Sequence, residues 1–358
     1  MKKITKRIIA TSTWAASTDL TPIDLPKEGI ITDIKIRFNV TATLTAAAYD
    51  DYFRRIIQNI RVLGDGGRSY LGMGGTQMST LLSLWQEIKD GVPTIHSNGG
   101  GIALTAPDVG STAFISVFQW HPGNNPRDKF DLSAGIPAMD LSTLQVLLTT
   151  TAAAVTDAAG NITAGTFYYE ISEVILTPEE KARMGGYIMA PDGSTLTYAH
   201  TANYSDFGYQ FDLPTGAWLR SILMCTRDDT ATVPRRKSDE VTAVKLWLPK
   251  TGEVVLEQNI YELQSGMMQR FGAHGVAGDV GPIGAIATIR PAPESLQDMV
   301  PPGFAIIDLR EYGHSDYGYD LRNAQSGDVK LAVTIANYAA GDSTTLYFDR
   351  LIPTPFRN

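Results

Sequence analysis

The sequence matches itself once. When the 358-residue chain is slid past itself by about half its length, short patterns coincide in one consistent order. Leu25-Pro26 before an apolar run over Ile31–Phe38 meets Leu213-Pro214 before a similar run over Leu219–Thr226. The segment from Ile60 to Arg68 meets the segment from Val244 to Glu253; each reads as a strand, a turn on Asp-Gly or Thr-Gly, and a second strand. Leu81, Leu82 and Trp85 meet Met267, Met268 and Phe271; Ala113-Phe114-Ile115 meets Ala305-Ile306-Ile307; and Phe130-Asp131-Leu132 meets Tyr319-Asp320-Leu321. Leu144 to Leu148 meets Val329 to Val333, and Phe167 to Glu170 meets Leu346 to Asp349, with Thr177-Pro178 and Thr354-Pro355 following. The separation stays between about 177 and 192 residues, so a unit of roughly 150 residues occurs twice, and a solenoid of small repeats is excluded.

The content of each unit is strand. Apolar runs are short, rich in β-branched and aromatic residues, and cut by Gly, Pro, Asn or Asp every ten or so positions. Over 30–40, Ile34, Ile36 and Phe38 alternate with Lys35, Arg37 and Asn39, which gives one buried and one wet face. Further strands are expected at Arg55–Leu63, Ala113–Trp120, Leu144–Thr150, Phe167–Leu176, Leu219–Cys225, Val241–Leu248, Glu253–Leu256, Phe304–Leu309, Val329–Ile335 and Thr345–Leu351. Helical spacing is confined to Thr76–Ile88, Ile260–Phe271 and Pro178–Met184, where a proline opens the first turn ahead of Glu179 and Glu180. An α/β fold needs a helix between successive strands, and those helices are missing. Eight or so strands per unit with some long connections suit a jelly roll of two packed antiparallel sheets, so the chain reads as all-β, two tandem eight-stranded jelly rolls with a few short helices. The boundaries predicted are a basic N-terminal tail over 1–24, a first roll over 25–178, a connection over 179–212 and a second roll over 213–358.

Composition narrows the function classes. Cys225 has no partner, so an intrachain disulfide framework is impossible. No run approaches the ~18 to 20 apolar residues of a membrane span, which predicts a soluble protein. The opening Met1-Lys2-Lys3-Ile4-Thr5-Lys6-Arg7 is followed only by Ile8-Ile9-Ala10 before polar residues return, too short for a secretion signal. A net charge of −8 argues against binding nucleic acid through the general surface, which leaves the basic opening as a local exception.

Two tandem rolls, each with a helix after its third or fourth strand, and a short basic N-terminal segment resemble the double jelly-roll major capsid proteins of tailless icosahedral viruses. Many of these viruses contain a membrane, and the lineage includes the adenovirus hexon. The resemblance spans about Leu25 to Pro355 and is architectural, with no short defining motif. It implies a virion shell protein, assembled in the host cytoplasm, whose homotrimers form pseudo-hexagonal tiles with strands perpendicular to the shell. Its partners would be itself, minor capsid or vertex proteins, and internal membrane lipid or genome reached by the termini. Lys2, Lys3, Lys6 and Arg7 fit that last role, since clustered cations near an anionic leaflet contribute on the order of 1 kcal/mol each. A bare solubilising tail is the plainer reading.

Two long connections, Gln86–Ser111 and Gly272–Gly303, take equivalent places after the helices, and loops beyond ~12 to 15 residues are usually functional or disordered. The second has Gly272, Gly275, Gly278, Gly281 and Gly284 at three-residue spacing, too few triplets for a collagen helix. A flexible glycine-rich loop is the plainer reading; its Val276, Val280, Ile283, Ile286 and Ile289 suggest that it packs against something, with a neighbouring subunit the preferred partner.

Catalytic spacing is absent from the sequence. Gly64–Gly75 lacks the lysine and the strand-to-helix context of a phosphate loop, and its Gly66-Gly67 suits a hairpin turn. There is no HExxH, CxxC or EF-hand spacing, so neither cofactor nor metal is expected. His96, His121, His200, His274 and His314 are scattered singly, and Cys225 sits in an apolar strand as a small hydrophobe. His314-Ser315-Asp316 are adjacent, whereas a triad converges from distant positions. Asp228-Asp229 and Glu179-Glu180 fit turn and helix-start roles, and Arg235-Arg236-Lys237 a solvated loop. No enzyme is expected. The alternatives carried are a two-jelly-roll glycan-acting amidase or hydrolase, and a lectin-like spike or minor capsid protein. Tyr187, Tyr198, Tyr204, Tyr209, Tyr312, Tyr317 and Tyr319, in loop-like sequence, are the residues expected at subunit interfaces.

Overall fold

A computed structural model describes residues 1–44, 57–73, 95–97, 110–125, 128–152, 161–228, 235–237, 239–271, 303–310, 312 and 315–357. The helix expected over Thr76–Ile88 lies outside them. So do the two long connections, apart from Ile95–Ser97, Gly110, Ser111 and Gly303. The described chain divides into two compact units, 1–193 with 352–357, and 194–271 with 303–351.

The first unit contains β1 (Lys2–Thr13), β2 (Ile23–Asp24), β3 (Ile30–Leu44), β4 (Ile57–Gly64), β5 (Ser69–Met73) and β6 (Ile95–Ser97). It continues with β7 (Gly110–Trp120), β8 (Ile136–Pro137), β9 (Leu144–Thr150), β10 (Asn161–Ile175), helix α1 (Pro178–Arg183) and β11 (Tyr187–Pro191). The second contains β12 (Ser194–Ala199), β13 (Tyr204–Asp212), β14 (Trp218–Asp228), β15 (Arg235–Arg236), β16 (Val241–Leu248) and β17 (Glu253–Asn259). Helix α2 (Ile260–Phe271), β18 (Phe304–Asp308), β19 (Tyr319–Asp320), β20 (Lys330–Ile335) and β21 (Asp342–Pro355) follow.

The two units share one topology. In the first, the strand order β1-β10-β3-β7 makes one sheet and β2-β9-β4-β5 the other. In the second, β12, β21, β14 and β18 are hydrogen-bonded in that order, beside a sheet of β13-β20-β16-β17. Each is an eight-stranded antiparallel jelly roll, and β6, β8, β15 and β19 are short additions at sheet edges and strand ends.

Registers repeat as well. Ile34 lies opposite Ile171 as Ile222 lies opposite Phe348, and Val62 opposite Val146 as Leu246 opposite Leu331. Two sequence pairings need correction. Phe348 takes the place of Ile171 rather than Tyr169, a shift of two residues that leaves the inward face unchanged because side chains alternate with period two. The ladder counterpart of Ala305-Ile306-Ile307 is Phe118-Gln119-Trp120, not Ala113-Phe114-Ile115, so the right strand was matched in the wrong register.

Alternation along the strands builds the cores. Ile34, Ile36, Phe38, Phe167, Tyr169 and Ile171 are buried on β3 and β10, with the Phe38 and Phe167 rings stacked at 4.2 Å. In the second roll Ile222, Met224, Ile307, Leu346 and Phe348 meet Val244, Leu246, Leu331 and Val333 from the other sheet, with Ile260 and Leu263 of α2 joining them.

The domain boundaries shift accordingly. The N-terminal segment expected as a tail over 1–24 supplies β1 and β2, the first strands of the first roll. The connection expected over 179–212 holds α1, β11, β12 and β13, of which β12 and β13 are the matching first strands of the second roll. Both strand pairs escaped the self-match because β1 reads as polar and charged, and its order comes from a ladder to β10 about 160 residues away.

Candidate functional site

The four basic residues singled out in the opening segment lie on β1, which runs antiparallel to β10 with Lys2 opposite Ile175 and Thr13 opposite Thr166. The ladder shifts register between Lys6 and Ala10, where Ile8 takes a left-handed backbone (φ 54°). Lys6 Nζ lies 2.7 Å from Glu173 Oε1 and 3.0 Å from Glu28 Oε1. Partial burial works against its charge, but the hydrogen bonds and charges of the two glutamates outweigh that and raise its pKa. Lys3 sits 3.9 Å from Asp128 and 5.2 Å from the centre of the Phe130 ring, and the Met1 ammonium pairs with Glu180. Lys2 and Arg7 are exposed. The four cations are therefore divided, two engaged by the roll and two facing water.

Of the histidines, His274 and His314 lie outside the described residues, and His96 lies on β6. His121 and His200 are buried. Among the described residues no three His, Cys, Asp or Glu side chains are grouped to hold a metal ion. Cys225 is buried in β14. Glu179 and Glu180 open α1, where Glu180 and Thr177 form a reciprocal capping box. Arg235-Arg236 correct the loop reading: they form β15 on β14, and Lys237 beyond them reaches Asp342 at 2.6 Å. Asp229 lies outside the described residues.

Sequence inspection missed two buried polar clusters, because each depends on a contact between residues more than 100 positions apart, Arg220 with Asp349 and His200 with Thr344. On β14, Arg220 forms a two-pronged pair with Asp349 of β21 (2.8 and 3.0 Å), and Arg310 a similar pair with Asp308 (2.9 and 2.6 Å). Elsewhere in the same roll, His200 bonds Glu240 through Nδ1 and Thr344 through Nε2 (3.0 Å), and Thr344 in turn contacts Thr226 at 2.8 Å. The Glu240 and Asp342 side chains have no exposed surface, and burial raises the pKa of Glu240 against the opposing effect of His200.

The tyrosines divide between core and surface. Tyr198 is buried and stacks on Tyr209 at 4.9 Å, with Phe211 at 5.2 Å and Tyr204 edge-on to Tyr209, so these rings help close the second roll. Tyr187, with Leu196, Val254 and Tyr261, is among the large apolar side chains that remain exposed. No helix among the described residues is long and apolar enough to cross a membrane.

Two complete jelly rolls in tandem define the double jelly-roll architecture, the fold of a class of viral major capsid proteins. Among solved structures the chain resembles the major capsid protein of Sulfolobus turreted icosahedral virus, with 14% identity and a TM-score of 0.71 over 98% of this chain and 97% of that one. It also resembles the capsid of virus PBCV-1 (9% identity, TM-score 0.62, 100% and 97% covered). The major capsid protein P2 of bacteriophage PM2 is similar at 12% identity, TM-score 0.53, with 99% and 100% covered. No family model and no curated sequence matches the chain.

Proposed function

We propose that the protein is a structural major capsid protein that builds the shell of an icosahedral virion by self-association. The observation that carries this reading is coverage: the likeness to the Sulfolobus virus protein takes in 98% of this chain and 97% of that one, so fold and length agree from end to end. The chain assembles as a homotrimeric, pseudo-hexagonal tile, because the two alike rolls in each of three copies give six similar units around a closed threefold axis. Catalysis is not part of its role. Minor capsid proteins join it in the virion, assembly takes place in the host cytoplasm, and Lys2 and Arg7 face an anionic surface, lipid or genome.

Size-exclusion chromatography with light scattering, followed by negative-stain microscopy, tests the reading. Particles of about 116 kDa, three times the 38.8 kDa chain, with a hexagonal outline, or closed shells, are the expected result. A monomer at every concentration, or one that cleaves glycopeptides, overturns it.

A further inference from the structure

We propose that Lys237 and Asp342 condense to an isopeptide bond, with Glu240 as the proton relay, so that the second roll closes itself covalently. The three residues are brought together by the fold. Lys237 follows β15, Glu240 precedes β16, and Asp342, 105 residues beyond Lys237, opens β21. Lys237 Nζ lies 2.6 Å from Asp342 Oδ2 and 4.0 Å from Glu240 Oε2. Neither carboxyl side chain has exposed surface, so an amine is held against one enclosed acid beside a second.

Hydrogen bonding gives each oxygen a distinct part. Asp342 Oδ2 also accepts from Ala339 N–H at 2.7 Å, a donor in place to hold the negative charge of a tetrahedral intermediate. Asp342 Oδ1 is buried with no hydrogen-bond partner among the described residues, and it is the oxygen that leaves. Glu240 Oε1 is fixed by the His200 ring, whereas Oε2 is buried and likewise without a hydrogen bond among the described residues. Burial raises the pKa of Glu240 against the opposing effect of His200, which suits a group that must both take and give a proton.

The step balances as the loss of one water. Lys237 rests as the ammonium: burial works against its charge, but Asp342 and Glu240 outweigh that and raise its pKa, so the bond forms slowly, after folding. Two of the three ammonium protons pass to Asp342 Oδ1 by way of Glu240 Oε2. The first makes Asp342 the neutral acid and the nitrogen a nucleophile. The nitrogen lone pair then forms the Nζ–Cγ bond as a carbonyl electron pair shifts to Oδ2. Collapse restores the carbonyl and breaks the Cγ–Oδ1 bond, and the second proton completes the departing water. One amide and one water replace an ammonium and a carboxylate, no oxidant or reductant enters, and Glu240 ends as it began. Proximity supplies the effective concentration, and the product removes a buried ion pair whose desolvation is costly. A bond spanning 105 residues constrains the unfolded chain as a disulfide would, in a protein whose single cysteine, Cys225, cannot supply one.

The test is intact-mass spectrometry of the full-length chain, fresh and after incubation at pH 8, followed by tryptic mapping. The expected result is a mass below that of the sequence by one water, about 18 Da, together with a branched peptide joining Lys237 to Asp342. Lys237→Arg keeps the cation but has no amine to condense, and it is expected to give no branched peptide. Glu240→Gln is expected to form the bond at least about a hundredfold more slowly. A parent chain that stays at full mass, or a water loss that maps to other residues, overturns the proposal. Bond formation at the parental rate in Glu240→Gln overturns the relay; if that variant fails to fold, the parent and Lys237→Arg still decide whether the bond exists.

Discussion

Lys6 Nζ stands 2.7 Å from Glu173 Oε1, and the Glu173 side chain has no exposed surface. A carboxylate enclosed beneath an edge strand is costly unless a cation accompanies it, and here the cation arrives on β1. Lys6→Met is expected to destabilise the first roll by about 3 kcal/mol, the lower end for breaking a buried pair because the lysine is itself partly hydrated. Glu173→Gln with Lys6→Met recovers most of that loss. Chemical denaturation of the two variants checks the order; a single variant as stable as the parent would show that the pair does not hold β1.

Asp33 gives the first roll a pH dependence of definite sign. Burial raises its pKa from 3.8 to about 6, with a hydrogen bond from Gln119 Nε2 (2.8 Å) pulling the other way. The folded state therefore prefers the protonated acid. Its contribution is fully present below about pH 4 and is lost as pH rises through 6, a change on the order of 3 kcal/mol. Asp33→Asn keeps an acceptor for Gln119 and removes the ionisation. Thermal unfolding should show the variant more stable than the parent at pH 7.5 and equal to it near pH 4; a variant less stable at pH 7.5 would contradict the assignment.

How much of this was legible in the sequence follows from distance along the chain. β9, β16 and α2 fall on the expected residues because their patterns of alternation or helical spacing are local. The duplication was visible wherever apolar strands face the core, as in Ile31–Phe38 and Leu219–Thr226. β1 and β12 were not recognised, since an edge strand exposed on one side needs no apolar pattern. The candidate cations were found by composition, but their division was invisible: Glu173 and Lys6 are 167 residues apart, and only the β1–β10 ladder brings them together. The cluster around His200 was hidden for the same reason, each member being unremarkable among its own neighbours.

In the second roll the Arg220–Asp349 pair offers a contrast with Lys6. Both partners are buried, and Ser221 lies opposite both Asp308 and Asp349 in the ladder. Arg220→Ala is expected to cost about 3–5 kcal/mol by leaving Asp349 without its bidentate partner. Arg220→Met combined with Asp349→Leu should return close to parental stability, because the paired charges gain little beyond what apolar packing supplies. A double-mutant cycle by denaturant unfolding measures the coupling, and strictly additive losses would disprove it.

Gly165 is required by contact rather than by backbone conformation. It lies opposite Val40 on the β10–β3 ladder, and a Cβ built there would stand 2.2 Å from Phe38 Cε2 and 2.5 Å from its Cζ. The ring cannot retreat freely, because it is buried and stacked on Phe167. Gly165→Ala should therefore destabilise the first roll by about 1–3 kcal/mol through overpacking, despite the better strand and chain-entropy character of alanine. Phe38→Leu in the same background opens space beside the new methyl and is expected to reduce the penalty of the glycine substitution. Unfolding midpoints of the single and double variants decide the matter: if Gly165→Ala is neutral or stabilising in the parent, the close approach of Phe38 does not constrain this position.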